Sequence, residues 1–201
     1  MNQTERDAAM MRRCIQLSAA ATQSGEFPFA AIVCEGANIV AEATNCVAQD
    51  CDVTRHAELL AISKAQQVLG TKDLSRCTIY SNVEPCVMCS FPIRETRIAR
   101  VVFAIRSPLM GGYSKWNVLR DAELANVMPE AFGPVPETVA GLLHAEAEKV
   151  WWKWNPAIWG VIRYRGCFGT PRDRCEHKQA VPFRFGFMRR MMIQYRNRHS
   201  I

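Results

Sequence analysis

Asp52-Val53-Thr54-Arg55-His56-Ala57-Glu58 and Pro85-Cys86-Val87-Met88-Cys89 are the two stretches on which the reading of the fold turns. Each stands at the head of a run with helical periodicity. After the first, Ala57, Leu60, Ala61 and Val68 recur on one stripe and Gly70 supplies a stop, which predicts a helix over residues 55–69. The second predicts a short helix over residues 86–95 with Pro85 at its opening position, where a missing N–H costs nothing.

Working outward, Met10, Cys14, Leu17 and Ala21 predict a first amphipathic helix over residues 4–24, and Gly25 follows it. Short apolar runs at 29–34 and 39–44 flank Glu35-Gly36-Ala37-Asn38 and read as a hairpin. Strands are predicted at 78–81, 98–105 and 135–140, with a short helix over 116–124 between the last two. Leu143, Ala147, Val150, Trp151 and Trp154 mark a closing helix. This alternation predicts a three-layer α/β/α sandwich.

The chemistry follows from the two opening stretches. Cysteines three apart on the first turn of a helix send their sulfurs to one side, and His56 from another helix start makes a third ligand. Three N/S ligands with a fourth position open describe a catalytic zinc site, with one Zn²⁺ per chain. The helix N-terminus favours the thiolate forms of Cys86 and Cys89. Zinc balanced by two thiolates is a weaker acid than zinc on three imidazoles, so a carboxylate must help take the proton from water. Glu58, two residues from His56, is the predicted base. It would take that proton and pass it on to the reacting group. The competing reading is a structural zinc with Cys46, Cys51 or Cys77 as fourth ligand, which would leave Glu58 without work.

Composition bounds the rest. An apolar fraction of 49% suffices for a packed core, and nine cysteines, an odd number, argue against a disulfide scaffold. Cys14, Cys34 and Cys77 lie in apolar or periodic segments and read as small core residues. The start of the chain lacks the pattern of a secretory signal and no apolar run is long enough to span a bilayer, so a cytoplasmic location without membrane association is expected. The net charge of +6 is uneven: residues 165–201 carry +7 and residues 1–164 about −1. The chain therefore divides into residues 1–165, the catalytic domain, and 166–201, a basic tail. That tail reads as a mobile or loosely packed segment, with contact to nucleic acid or a membrane surface as the sharper alternative.

His-x-Glu followed by Pro-Cys-x-x-Cys resembles the cytidine/deoxycytidylate deaminase superfamily. The similarity extends over most of residues 5–155 and is nearest the branch of guanine deaminases, yeast-type cytosine deaminases and tRNA adenosine deaminases. That resemblance implies a five-stranded mixed sheet between helices and assembly as a homodimer. It gives zinc to His56, Cys86 and Cys89 and proton transfer to Glu58. Asn45, eleven residues before His56, would hydrogen-bond the substrate ring, and the backbone N–H of Ala57 would meet the exocyclic position.

Substrate class is read from the departures. Phe27-Pro28-Phe29-Ala30-Ala31 resembles guanine deaminases and makes Phe29 either a stacking wall or a packed strand residue. After the strand at 98–105, Ser107-Pro108-Leu109-Met110-Gly111-Gly112-Tyr113-Ser114-Lys115-Trp116-Asn117 has no acid where guanine deaminases carry one. Trp116 is a candidate for pocket lining, with core or dimer packing as its alternative. Trp151 and Trp154 share a helix face and read as core or subunit interface, while Trp152 points elsewhere. The near-neutral body favours a small heterocyclic base, purine-like or cytosine-like, over tRNA adenosine.

Overall fold

The structure, a computed structural model, describes residues 2–169. Its elements run α1 (Gln3–Ala21), a 3₁₀ turn (Thr22–Ser24), β1 (Ala30–Glu35), β2 (Asn38–Thr44), α2 (Ala57–Leu69), β3 (Cys77–Val83) and α3 (Val87–Glu95). Then come β4 (Arg100–Ile105), α4 (Glu123–Val127), β5 (Glu137–Ala140), α5 (His144–Trp154) and α6 (Pro156–Tyr164). The sheet order is β2-β1-β3-β4-β5. β1 lies antiparallel to β2 and β3, whereas β3, β4 and β5 are mutually parallel, so the five-stranded sheet is mixed.

Side-chain alternation along the three central strands divides the core in two. Ala31, Val33, Ile79, Val101 and Phe103 face one layer, formed by Ala57, Ala61, Ile62 and Ala65 of α2 with Ile93 of α3. The intervening Ala30, Ile32, Cys34, Tyr80, Val102 and Ala104 face the other, formed by Met11, Cys14 and Ile15 of α1 with Ala147, Trp151 and Trp159 of the last two helices. A strand buried on both faces reads as a continuous apolar run, which is why these segments lack polar alternation. Cys14, Cys34 and Cys77 are core residues, as the sequence suggests.

The far end of the sheet is tied by charge. Asp7 of α1 accepts hydrogen bonds from Tyr80 Oη (2.7 Å), Gln3 Nε2 (2.8 Å) and the Arg100 guanidinium (3.0 Å to each carboxylate oxygen). Burial alone would raise the Asp7 carboxyl, but the bonds from Arg100, Tyr80 and Gln3 outweigh it and hold it below the usual aspartate value.

Three sequence expectations need correction. The helix expected over 116–124 is absent; Asn117 takes a left-handed φ of 62°, and helix forms only at Glu123–Val127. Pro85 precedes α3 instead of opening it, because Cys86 is the extended N-cap. A further helix also follows the expected closing one: α6 is capped by Asn155, whose side chain accepts from Ile158 N with Pro156 in the first turn. Beyond α6, Phe168 is buried and Gly169 pairs with Arg106. The expectation for the basic tail falls on residues 170–201, outside the described residues. Among the described residues no helix is long and apolar enough to cross a membrane.

Candidate metal centre and its walls

His56 and Cys86 hold equivalent positions on two helices. Both are N-caps with extended backbone, and neither caps its helix with its own side chain, so imidazole and thiol remain free for another partner. Cys89 lies on the first turn of α3, beside Cys86. The Sγ atoms are 3.6 Å apart, and His56 Nδ1 is 3.6 Å from Cys86 Sγ and 3.5 Å from Cys89 Sγ. Tetrahedral zinc with bonds of about 2.3 Å to sulfur and 2.0 Å to nitrogen needs ligand separations of about 3.5–3.8 Å. The three atoms fit that requirement, and this cluster can hold one zinc ion.

The protonation of the sulfurs follows from their pairing. The contact of Cys86 Sγ with Cys89 Sγ, together with His56, outweighs burial and brings the Cys86 thiol down to about 4. The same contact, with burial and the nearby Glu58, keeps Cys89 well above the ordinary thiol value. His56 is raised by its contact with Cys86, against burial.

The structural-zinc reading has no fourth ligand. Among the described residues the cluster stops at three. Cys46 Sγ lies against Thr44 O, Cys51 is exposed beside Ala48 O, and Cys77 begins β3, at the end of the strand away from Cys86.

Glu58 occupies the first turn of α2 and is 6% exposed, with Oε2 at 3.6 Å from Cys89 Sγ and Oε1 at 3.1 Å from Ser81 Oγ. Burial, followed by the charge at Cys86, pushes its carboxyl above the usual glutamate range. A buried carboxylate with a raised affinity for protons, beside a cluster fit for zinc, is equipped to take a proton from water. Ala57 is the first residue of α2, so its N–H belongs to the amides that have no intrahelical partner.

Two loops wall this centre. In the first, Cys46 N donates to Arg55 O at 3.0 Å, closing the loop and bringing Asn45 next to the start of α2. Asn45 N donates to Phe29 O at 3.1 Å, and its side-chain Nδ2 donates to Glu26 Oε2 at 2.5 Å. Glu26 Oε1 also accepts from the backbone N–H groups of Ala48 and Gln49, both at 2.8 Å. The Phe29 ring packs edge-on to Trp151 at 5.1 Å and near Phe168, so what it visibly gives Asn45 is its carbonyl.

The second loop is hung on Glu84. This buried carboxylate accepts from the N–H of Ser107, Tyr113 and Ser114 and from Ser114 Oγ. The loop then pairs with the start of α3: Gly112 N donates to Pro85 O, Val87 N to Met110 O, and Gly111 bridges Cys86. A side chain at Gly111 would put its Cβ 1.9 Å from Glu84 Oε1, so glycine is a steric requirement there. Trp116 follows, 55% exposed, which excludes the core packing considered for it. Trp151 is fully buried and Trp154 packs against it at 5.8 Å, as their shared face suggests, whereas Trp152 is half exposed.

Glu26, Glu84 and Ser81 are the residues that sequence reasoning missed. Glu26 stands between Gly25 and Phe27 and Glu84 between Val83 and Pro85, at the edges of elements where no local pattern marks a carboxylate as buried.

Residues 4–105 match the family model for the cytidine and deoxycytidylate deaminase zinc-binding region. The tRNA-specific adenosine deaminase of Aquifex aeolicus is 36% identical over 118 residues, covering 58% of this chain and 78% of that protein. A probable cytosine deaminase of Schizosaccharomyces pombe is 38% identical over 103 residues, covering 51% of this chain and 62% of that protein. The solved guanine deaminase of Nitrosomonas europaea superposes with a TM-score of 0.59 at 26% identity, over 74% of this chain and 84% of that one. The matched residues 4–105 include His56, Cys86 and Cys89, and the chain belongs to the cytidine and deoxycytidylate deaminase family.

Proposed function

We propose that this deaminase acts on a small amino-substituted heterocyclic base, a guanine-like purine or a cytosine-type pyrimidine, replacing the amino group with oxygen and releasing ammonia. The observation that carries the chemistry is the buried Glu58 carboxylate beside three converged zinc-ligand atoms. Zinc held by His56, Cys86 and Cys89 supplies Lewis acidity that makes hydroxide accessible at neutral pH.

The protein's own groups do the remaining work. Glu58 accepts a proton from the attacking water and delivers it to the ring nitrogen beside the amino-bearing carbon. In the second half it takes the remaining proton from the newly added hydroxyl and gives it to the amino nitrogen, so that the C–N bond breaks with ammonia as leaving group and the ring carbon keeps its oxygen as a carbonyl. Asn45 fixes the ring edge and the Ala57 N–H meets the exocyclic group. Phe29, through its carbonyl, braces Asn45, and the exposed Trp116 would line the pocket beside a bound ring. A homodimer is part of the proposal, and its mass in solution tests it.

Choice of a free base rests on charge. Residues 1–164 carry about −1, whereas nucleic-acid affinity depends on neutralising phosphates. The Aquifex relative, named as a tRNA-specific adenosine deaminase, supports adenosine in tRNA as the second reading. Ammonia release from guanine, cytosine, adenosine and tRNA, each with zinc-loaded protein, decides between them. Turnover of a free base is expected; inosine formed in tRNA without turnover of any base would replace this substrate assignment with the second.

A further inference from the structure

Glu26 sits where the end of α1 meets the start of β1 and is 1% exposed. Its own N–H donates to Ala21 O, so its backbone is anchored to the helix. The carboxylate is committed on both oxygens. Oε1 receives the backbone N–H groups of Ala48 and Gln49, whose directions are set by the loop and cannot be reversed. Oε2 receives Asn45 Nδ2. An ionised carboxylate only accepts, whereas a primary amide has one donating and one accepting end. Glu26 can therefore be paired only with the donating end of Asn45. Among the described residues no group donates to Asn45 Oδ1, which is the end turned away from Glu26.

We propose that Glu26 is the positioning residue that fixes the orientation of the Asn45 amide, leaving Oδ1 as the acceptor presented to the substrate. The substrate group set against Asn45 is then a hydrogen-bond donor, either a ring N–H of a free base or a hydroxyl of an attached ribose. The inference rests on the reading of Asn45 as a substrate contact and adds its polarity, which the residue's identity alone leaves open.

The polarity can be inverted without changing shape. In Glu26→Gln the amide oxygen must stay on the two backbone N–H groups, which turns its –NH₂ toward Asn45. Two donors would then face each other, and Asn45 must rotate to offer Oδ1 to Gln and its own –NH₂ to the substrate. Asn45→Asp alone puts two carboxylates within hydrogen-bond distance. The double variant Glu26→Gln/Asn45→Asp restores a donor–acceptor pair and again leaves an oxygen facing the substrate.

The test is a double-mutant cycle on zinc-loaded full-length protein, read by ammonia release and, separately, by calorimetric binding of guanine, cytosine and their ribonucleosides. Glu26→Gln is expected to raise KM and Kd ~10–100-fold with kcat changed less than ~3-fold, because an orienting contact is lost and not the chemistry. Asn45→Asp should lower both affinity and Tm, and the double variant should recover affinity to within ~10-fold of the parent. Comparing each base with its ribonucleoside tells a ring N–H from a ribose hydroxyl as the donor. Parental affinity in Glu26→Gln, or a double variant no better than the sum of the two single changes, would overturn the proposal. A Tm cycle that shows coupling with no response in Kd would reduce Glu26 to a loop support and would likewise overturn it. A parent that binds these bases yet releases no ammonia would refute the deaminase reading, while the binding cycle would still decide the role of Glu26.

Discussion

The metal side of the site and its substrate side are held together by different kinds of interaction. On the metal side, His56, Cys86 and Cys89 stand at the starts of α2 and α3, and the packing of those helices against the sheet brings three ligand atoms within 4.8 Å of one another. On the substrate side there is no regular structure. The loop bearing Asn45 hangs from Glu26, and the loop of residues 107–114 hangs from Glu84, each through a buried carboxylate collecting N–H donors. Helix starts fix ligands to a tolerance that zinc demands. Carboxylate anchors fix the two loops through N–H donors from residues far along the chain.

Changes on the metal side should have the largest effects. Cys86→Ala is expected to remove both zinc and turnover, measured by metal content and ammonia release on the same sample. Glu58→Gln should keep a full equivalent of zinc while kcat falls ~10²–10⁴-fold, because only proton transfer is lost. Loss of zinc from Glu58→Gln would mean that this carboxylate acts as a ligand and that the two roles are not separable.

A change in the wall should be smaller and should appear in affinity. Gly111→Ala forces a methyl against Glu84 Oε1 and Ser107 O, costing about 1–3 kcal/mol and displacing the loop over Cys86. The expected result is a lower Tm and a KM raised ~10-fold with zinc retained. An unchanged KM would show that residues 107–114 do not border the substrate.

Away from both sides, the Asp7 cluster supplies the control. Asp7→Asn should cost about 2–3 kcal/mol of stability and leave kcat/KM unchanged at temperatures where the variant is folded. The Asp7 carboxyl is held below its ordinary value in the folded state, so its contribution is fully present above about pH 4, the value for an unfolded chain. It is lost as pH falls through the lower folded value. The stability gap between parent and variant should therefore be constant near neutrality and close only in acid, which a series of Tm measurements against pH reads directly.

The same contrast explains what the sequence discloses. The clustering of His56, Cys86 and Cys89 was legible because helix starts and ligand spacing are local signals, and β1 and β4 were legible because they are largely apolar runs. The anchors were not. Glu26 meets Asn45 across 19 residues and Glu84 meets Ser114 across 30, and no periodicity encodes a loop closing on a distant carboxylate. The helix expected at 116–124 failed for a related reason: the backbone there bends to serve Glu84 and Gly111 before helix can form. The overlooked α6 did carry a local mark, Asn155-Pro156, an N-cap followed by proline in the first turn.

X-ray absorption at the zinc edge of the metal-loaded protein tests the central claim most directly. The account expects two sulfurs at about 2.3 Å, one imidazole nitrogen and one further light atom at about 2.0 Å that exchanges when a base binds. A third sulfur or a second imidazole in the shell would close the position that water must occupy and would contradict the assignment of this centre to catalysis.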